Sequence, residues 1–219
     1  MSAGRLQKSR SMLAVPIQRL LLVVLVALLA AIGIVLATNT SSDSAQPALV
    51  SHSKFDGPTL PGGLRAANFS LLDQNGHHVT LSQYRGHVVV LTFIHSLCHD
   101  TCPFMVEQIK GALNDLASSG AGVPVLGVSV APSEDSRVHR RQFLAKHEMT
   151  GRIAFLNGPM PTMRQVWHSY AIQPVKGPID HSVFVLLIDK NGLERVGFPA
   201  DQLTPEGLAH DIGVLEKGE

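Results

Sequence analysis

Apolar positions along the chain fall into three kinds of run. The first is unbroken: residues 20–37 form an 18-residue stretch without a charge. As a helix it would be about 27 Å long at 1.5 Å per residue, close to the hydrocarbon thickness of a bilayer. The second kind is short and rich in β-branched residues. Residues 87–94, 123–130 and 182–189 are apolar on both faces and predict buried central strands. The third recurs at helical spacing. Met105, Ile109, Leu113 and Leu116 mark one helix, with Pro103 at its first position. Residues 134–147 predict a second, with Val138, Phe143 and Leu144 inward, and residues 162–170 a third, with Met163, Val166 and Trp167 inward.

Turn chemistry supplies the remaining elements. Asp73, Gln74, Asn75 and Gly76 read as the turn of a hairpin between strands at 68–72 and 77–81. A short strand falls at 154–156. Lys190, Asn191 and Gly192 turn the third buried strand into another at 193–198. Thr204, Pro205 and Glu206 give a cap, a proline and an acid at the start of a last helix. The order is hairpin, β, α, β, α, β, α, hairpin, α. It predicts an α/β domain with a mixed sheet covered on both faces. The chain then divides into four segments: a cytoplasmic basic flank at 1–19, a transmembrane anchor at 20–37, a flexible linker at 38–65 and the domain at 66–219. The linker is small and polar, then carries Pro58 and Pro61. The domain is large enough to bury about two-thirds of its unfolded surface in one core.

Charge places these segments. Arg5, Lys8, Arg10 and Arg19 precede the apolar run, with no acid among them. Such a flank stays in the cytoplasm and delivers the C-terminal side of the run across the membrane. The run exceeds the apolar core of a secretory signal peptide, and residues 36–39 are a poor cleavage site. A single-pass protein of a bacterial cell membrane is expected, its C-terminal domain extracytoplasmic and its bilayer contact made by residues 20–37. The rest of the chain has 14 basic residues against 17 acidic ones. That excludes a charge-driven nucleic-acid binder.

Candidate chemistry sits where a buried strand gives way to a helix. The chain has two cysteines, Cys98 and Cys102, four positions apart in the run Cys98-His99-Asp100-Thr101-Cys102-Pro103. The carboxyl edge of a sheet is where α/β folds place ligands. The spacing allows a disulfide, and a helix N-terminus beside Cys102 favours a thiolate there. A purely structural disulfide would close a loop of a few residues and stabilise little. Redox or metal chemistry is the stronger reading. Two thiolates need a further metal ligand, and imidazole suits. His95, His99 and His181 are the candidates, and spacing alone leaves the choice open. His77, His78, His139, His147 and His210 lie in polar settings and read as surface; His87 and His168 read as structural.

These residues resemble the SCO/SenC family, thioredoxin-like, membrane-anchored proteins that carry copper for cytochrome c oxidase assembly. The likeness covers about residues 69–198. It includes Phe69, Leu71, Asp73 and Gly76, then Cys98, Cys102 and Pro103 after a strand. Val128, Ser129, Val130, Pro132 and Asp135 come next, then Asp180, His181 and Ser182 before a strand ending in Asp189 and Gly192. The resemblance implies a thioredoxin-like fold with an N-terminal hairpin, and it implies Cys98, Cys102 and His181 as copper ligands. His181 then occupies the loop where thiol oxidoreductases of this fold carry a cis-proline. Two soft thiolates and an imidazole suit Cu(I), with Cu(II) as a second state held with an added oxygen donor. The same two cysteines would be redox-active, since a disulfide removes both thiolates. Two departures from the family pattern are His99 after the first cysteine and Ala131 before Pro132. The implied role is a metallochaperone that delivers copper to, or reduces the cysteines of, the dinuclear copper site of cytochrome c oxidase. Its partners would be the copper-receiving subunit, or another cuproprotein, and a thiol reductant. The alternative is an envelope thiol–disulfide oxidoreductase without copper delivery.

Overall fold

A computed structural model describes residues 25, 26, 28, 53–117, 122–172 and 184–218. The chain divides into two units, Met1–Ser51 and His52–Glu219. In the first, Leu25, Val26 and Leu28 are helical and exposed. The rest of the expected anchor lies outside the described residues. Among the described residues, no helix is long and apolar enough to cross a membrane.

The second unit contains β1 (Ser70–Leu72), β2 (His78–Thr80), β3 (Val89–Ile94), α1 (Thr101–Ala117), β4 (Val125–Ser129) and α2 (Arg137–Lys146). Then come β5 (Ala154–Leu156), α3 (Met160–Ser169), β6 (Phe184–Ile188), β7 (Glu194–Pro199) and α4 (Pro205–Glu216). Five strands form one sheet in the order β5-β4-β3-β6-β7, and β1 pairs with β2 as a separate antiparallel hairpin. β3 is parallel to β4 and antiparallel to β6, with Val90 opposite Val125 on one side and Leu187 on the other. It is buried at every position because it has a neighbour on each edge and helices above and below. The expected α/β architecture with a hairpin ahead of it is therefore what forms.

Alternation along the strands divides the core. Val88, Val90, Ile94, Val125, Val185 and Leu187 pack with α1, α2 and α4 through Met105, Ile109, Phe143, Leu144, Leu208 and Ile212. Val89, Leu91, Phe93, Leu126, Val128 and Leu186 pack on the other face with Met163, Val166 and Trp167 of α3 and with the hairpin. Each such side chain contributes about 1.5–3 kcal/mol by leaving water.

Three expectations change. Val138 is exposed, not inward, because the apolar stripe of α2 is narrow and passes through Phe143 and Leu144. α1 begins at Thr101, so Cys102 and Pro103 lie inside its first turn. The stretch 53–65 is packed rather than tethering. Phe55 is buried in the core, and Asp211 on α4 accepts the amides of Asp56 and Gly57 at 2.7 and 2.9 Å. Leu60 donates its amide to the Arg195 carbonyl at 2.9 Å, and Gly197 donates to Pro58 at 3.0 Å. At the far side of the sheet, Leu72 and Asn157 exchange two backbone hydrogen bonds of 2.9 Å, which fix the hairpin to the end of β5.

Candidate functional site

β3 ends at Ile94 and the chain reaches α1 through a turn in which the Cys98 amide donates to the His95 carbonyl at 3.2 Å. This turn brings the two cysteines together. The Cys102 amide, at the N-terminus of α1, donates to Cys98 Sγ at 3.5 Å, and the His95 amide donates to Cys102 Sγ at 3.4 Å. The two cysteines are not joined in a disulfide. They differ in access: Cys102 is fully buried and Cys98 half-buried.

The asymmetry extends to charge. A side-chain hydrogen bond with Cys98 and then burial hold the Cys102 thiol far above the usual thiol range, and the Asp135 charge adds to this. The His95 amide offsets only part. Cys102 is therefore held as the thiol, while the helix N-terminal amide points at the other sulfur, Cys98 Sγ. The expected Cys102 thiolate is thus corrected. The helix begins one residue ahead of Cys102, so its first free amides serve the preceding sulfur.

A buried polar network holds this turn. Asp135 is fully buried and accepts the Ser96 amide at 2.7 Å, the Ser96 hydroxyl at 2.5 Å and the Ser129 hydroxyl at 2.5 Å. Trp167 Nε1 donates to the Ser129 carbonyl at 2.9 Å. The ends of β3 and β4 are thereby bound to the loop that opens α2. His95 Nε2 lies 3.2 Å from Glu134 Oε2 and 4.0 Å from Asp135 Oδ1, but off the line a hydrogen bond needs. The sequence pattern includes Asp135 but gives it no role. The available signal was three small polar residues, Ser96, Ser129 and Asp135, at the carboxyl ends of two apolar strands.

Of the three residues implied as ligands, the fold brings Cys98 and Cys102 together, and His181 lies outside the described residues. His99 is exposed. His77, His78 and His210 are also exposed, as are His87 and His168, which were expected to be structural. His147 departs from its expected surface position. It is 8% exposed, and its Nδ1 lies 3.1 Å from Glu107 Oε1 on α1. Among the described residues, Asp56, His210 and Asp211 form the one set of three ligating side chains within 4.8 Å of each other. The buried member, Asp211, is engaged by backbone amides, so this cluster is a fastening of the N-terminal segment.

The SCO1/SenC family model matches residues 60–215. The chain is 28% identical over 136 residues to the mitochondrial SCO2 homolog of Bos taurus, covering 58% of this chain and 50% of that protein. It is 26% identical over 133 residues to an SCO2-like protein of Rickettsia typhi, covering 57% and 64%. The chain thus spans about half to two-thirds of the length of these curated relatives. The copper-bound structure of ScoI from Bradyrhizobium japonicum superposes with a TM-score of 0.56 at 25% identity, covering 69% of this chain and 99% of that one.

Proposed function

Because the chain belongs to the SCO1/SenC family, we propose that it is a membrane-anchored, extracytoplasmic copper-binding protein serving the dinuclear copper site of cytochrome c oxidase. Residues 20–37 would be the anchor, in a bacterial cell membrane. Copper is cargo in this reading, held as Cu(I) by Cys98, Cys102 and His181. The observation that carries it is the thiol pair on one turn, with the Cys102 amide at Cys98 Sγ, in a chain similar to a ScoI that is solved with copper bound. Two soft sulfurs suit monovalent copper better than a hard cation.

A second reading rests on the unequal burial of the two cysteines. An accessible sulfur paired with a buried one is the arrangement of an attacking and a resolving thiol. The Cys98 thiolate would attack one sulfur of a target disulfide, expelling the other target sulfur as a thiolate. Cys102, losing its proton, would then attack the Cys98 sulfur and release the second target thiolate. Two electrons pass to the target, Cys98 and Cys102 end as a disulfide, and an external dithiol reduces them again. Copper binding and this exchange use the same sulfurs, so one excludes the other.

The deciding experiment is a Cu(I) titration of the reduced and oxidised chain against a chromophoric chelator. The reduced chain should bind one Cu(I) and the disulfide form essentially none. His181→Ala should weaken binding by at least about a hundredfold, or roughly 2.8 kcal/mol. His99→Ala should change it little. Equal uptake by both redox forms would sink the thiolate reading.

A further inference from the structure

A cavity of about 130 Å³ opens beside Cys98, bordered by Cys98, His99, His139, Phe143, Lys146 and His147. His147 is the member with an unfinished coordination. Its Nδ1 is committed to the Glu107 carboxylate, and its ring packs on Phe143 with centroids 4.7 Å apart. Its Nε2 is buried and has no hydrogen-bond partner. A buried polar atom left unpaired is costly, and this one belongs to a side chain that lines an open cavity able to admit a ligand. A carboxylate on one ring nitrogen keeps the proton there and leaves a lone pair on the other. That is the arrangement by which proteins orient and strengthen a metal-binding imidazole.

We infer that this cavity is a capture position for Cu(I), with Cys98 Sγ and His147 Nε2 as the protein donors. The inference rests on the copper reading above and goes beyond it, since neither the family motif nor the ligand set contains His147. Burial gives the reason for a separate position. Cys102 is enclosed, so an incoming ion meets Cys98 first and needs a second donor from outside the pair. Two donors are enough for Cu(I), which also accepts one remaining ligand from its carrier. Binding forms one Cu–S and one Cu–N bond, the Cys98 proton leaves to water, and copper stays monovalent. Cys98 then acts as the pivot: the ion keeps this sulfur while His147 is exchanged for Cys102 and the third ligand of the final site.

The test uses the full reduced chain and Cu(I) supplied from a chelator complex, followed by stopped-flow absorbance. His147→Gln should slow uptake at least tenfold while changing the final affinity less than threefold. Glu107→Gln, which leaves the imidazole in place, should slow it to a smaller degree; circular dichroism checks that both variants fold. In a Cys102→Ala, His181→Ala background, X-ray absorption of the Cu(I) complex should show one sulfur and one imidazole. Adding His147→Gln should remove the imidazole signal, and adding His99→Ala should not. Unchanged uptake rates, or an imidazole signal that survives His147→Gln, overturn the capture position while leaving the copper reading intact. A parent chain that takes up no Cu(I) overturns both.

Discussion

One carboxylate oxygen of Asp135 accepts both the amide and the hydroxyl of Ser96, at 2.7 and 2.5 Å, just ahead of Cys98. The other oxygen takes the Ser129 hydroxyl at the end of the neighbouring strand. Every lone pair so used is buried, so the group can be removed only by stranding three donors. Asp135→Ala should therefore cost about 2–4 kcal/mol, against about 1 kcal/mol for Ser129→Ala, in urea denaturation. The Cys102 thiol should also become reachable by alkylating reagents in Asp135→Ala. Equal costs for the two variants would show that the two bonds from Ser96 contribute nothing to stability.

Unequal access to the two sulfurs predicts unequal chemistry. In the reduced chain at neutral pH, iodoacetamide should label Cys98 at least about tenfold faster than Cys102, because Cys98 is the more accessible sulfur and faces the helix amide, while Cys102 is enclosed and held as the thiol. Cys102→Ser should keep the fast site, and Cys98→Ser should leave a slow one. Peptide mass spectrometry over a time course reads both. Faster labelling of Cys102 would reverse the assignment of the attacking thiol.

A local strain offers a stabilising change. α3 ends with Ala171 at φ 53°, where the Ile172 amide reaches back to the Trp167 carbonyl at 2.8 Å and the Ala171 amide to His168 at 3.2 Å. This left-handed cap normally uses glycine, because a Cβ there crowds the carbonyl. Ala171→Gly should raise the unfolding free energy by about 0.5–1 kcal/mol, after allowing for the looser unfolded chain. Chemical denaturation with an unchanged slope is the expected record; a loss of stability would contradict it.

Glu194 gives the domain a pH dependence. It is buried on β7, and burial pushes its carboxyl from 4.5 up to about 7. Between those values the folded chain keeps a proton that the unfolded chain has released. This contribution to stability is therefore present below about pH 4.5, declines as pH rises, and is lost above about 7. Glu194→Gln cannot ionise. It should melt with the parent near pH 4.5 and about 5–10 °C higher at pH 8. A gap that widens toward acid would have the wrong sign.

How much of this was legible in the sequence depended on the range of the forces involved. β3, β4 and β6 were readable because a strand buried on both faces must be apolar at successive positions, as Val89–Ile94 is. Gly192, at φ 74°, marks the turn between β6 and β7 where the residue type foretold it. His147 was misread because its neighbours Lys146 and Glu148 are charged and exposed, while its burial is made by α1, forty positions earlier. Phe55 was misread for a similar reason: its polar surroundings suggest a tether, and only the fold supplies the core that it enters. The thiol pair was evident from spacing, but which sulfur receives the helix amide depends on where α1 starts, a matter of one or two residues.

The way the two outer strands are finished limits how another protein can be recognised. Outside β7, residues 58–66 occupy backbone groups of Gly192, Glu194, Arg195 and Gly197. Outside β5, the Gln74 side chain accepts the Phe155 amide at 2.9 Å, and Arg140 donates to the Phe155 carbonyl. Among the described residues, neither border offers a row of vacant amides and carbonyls to which a partner could add a strand. The same closure protects the domain from zipping edge to edge with its own copies. Docking on these borders would have to use side chains and loops, so that a complex could form and separate without rebuilding a ladder of backbone bonds.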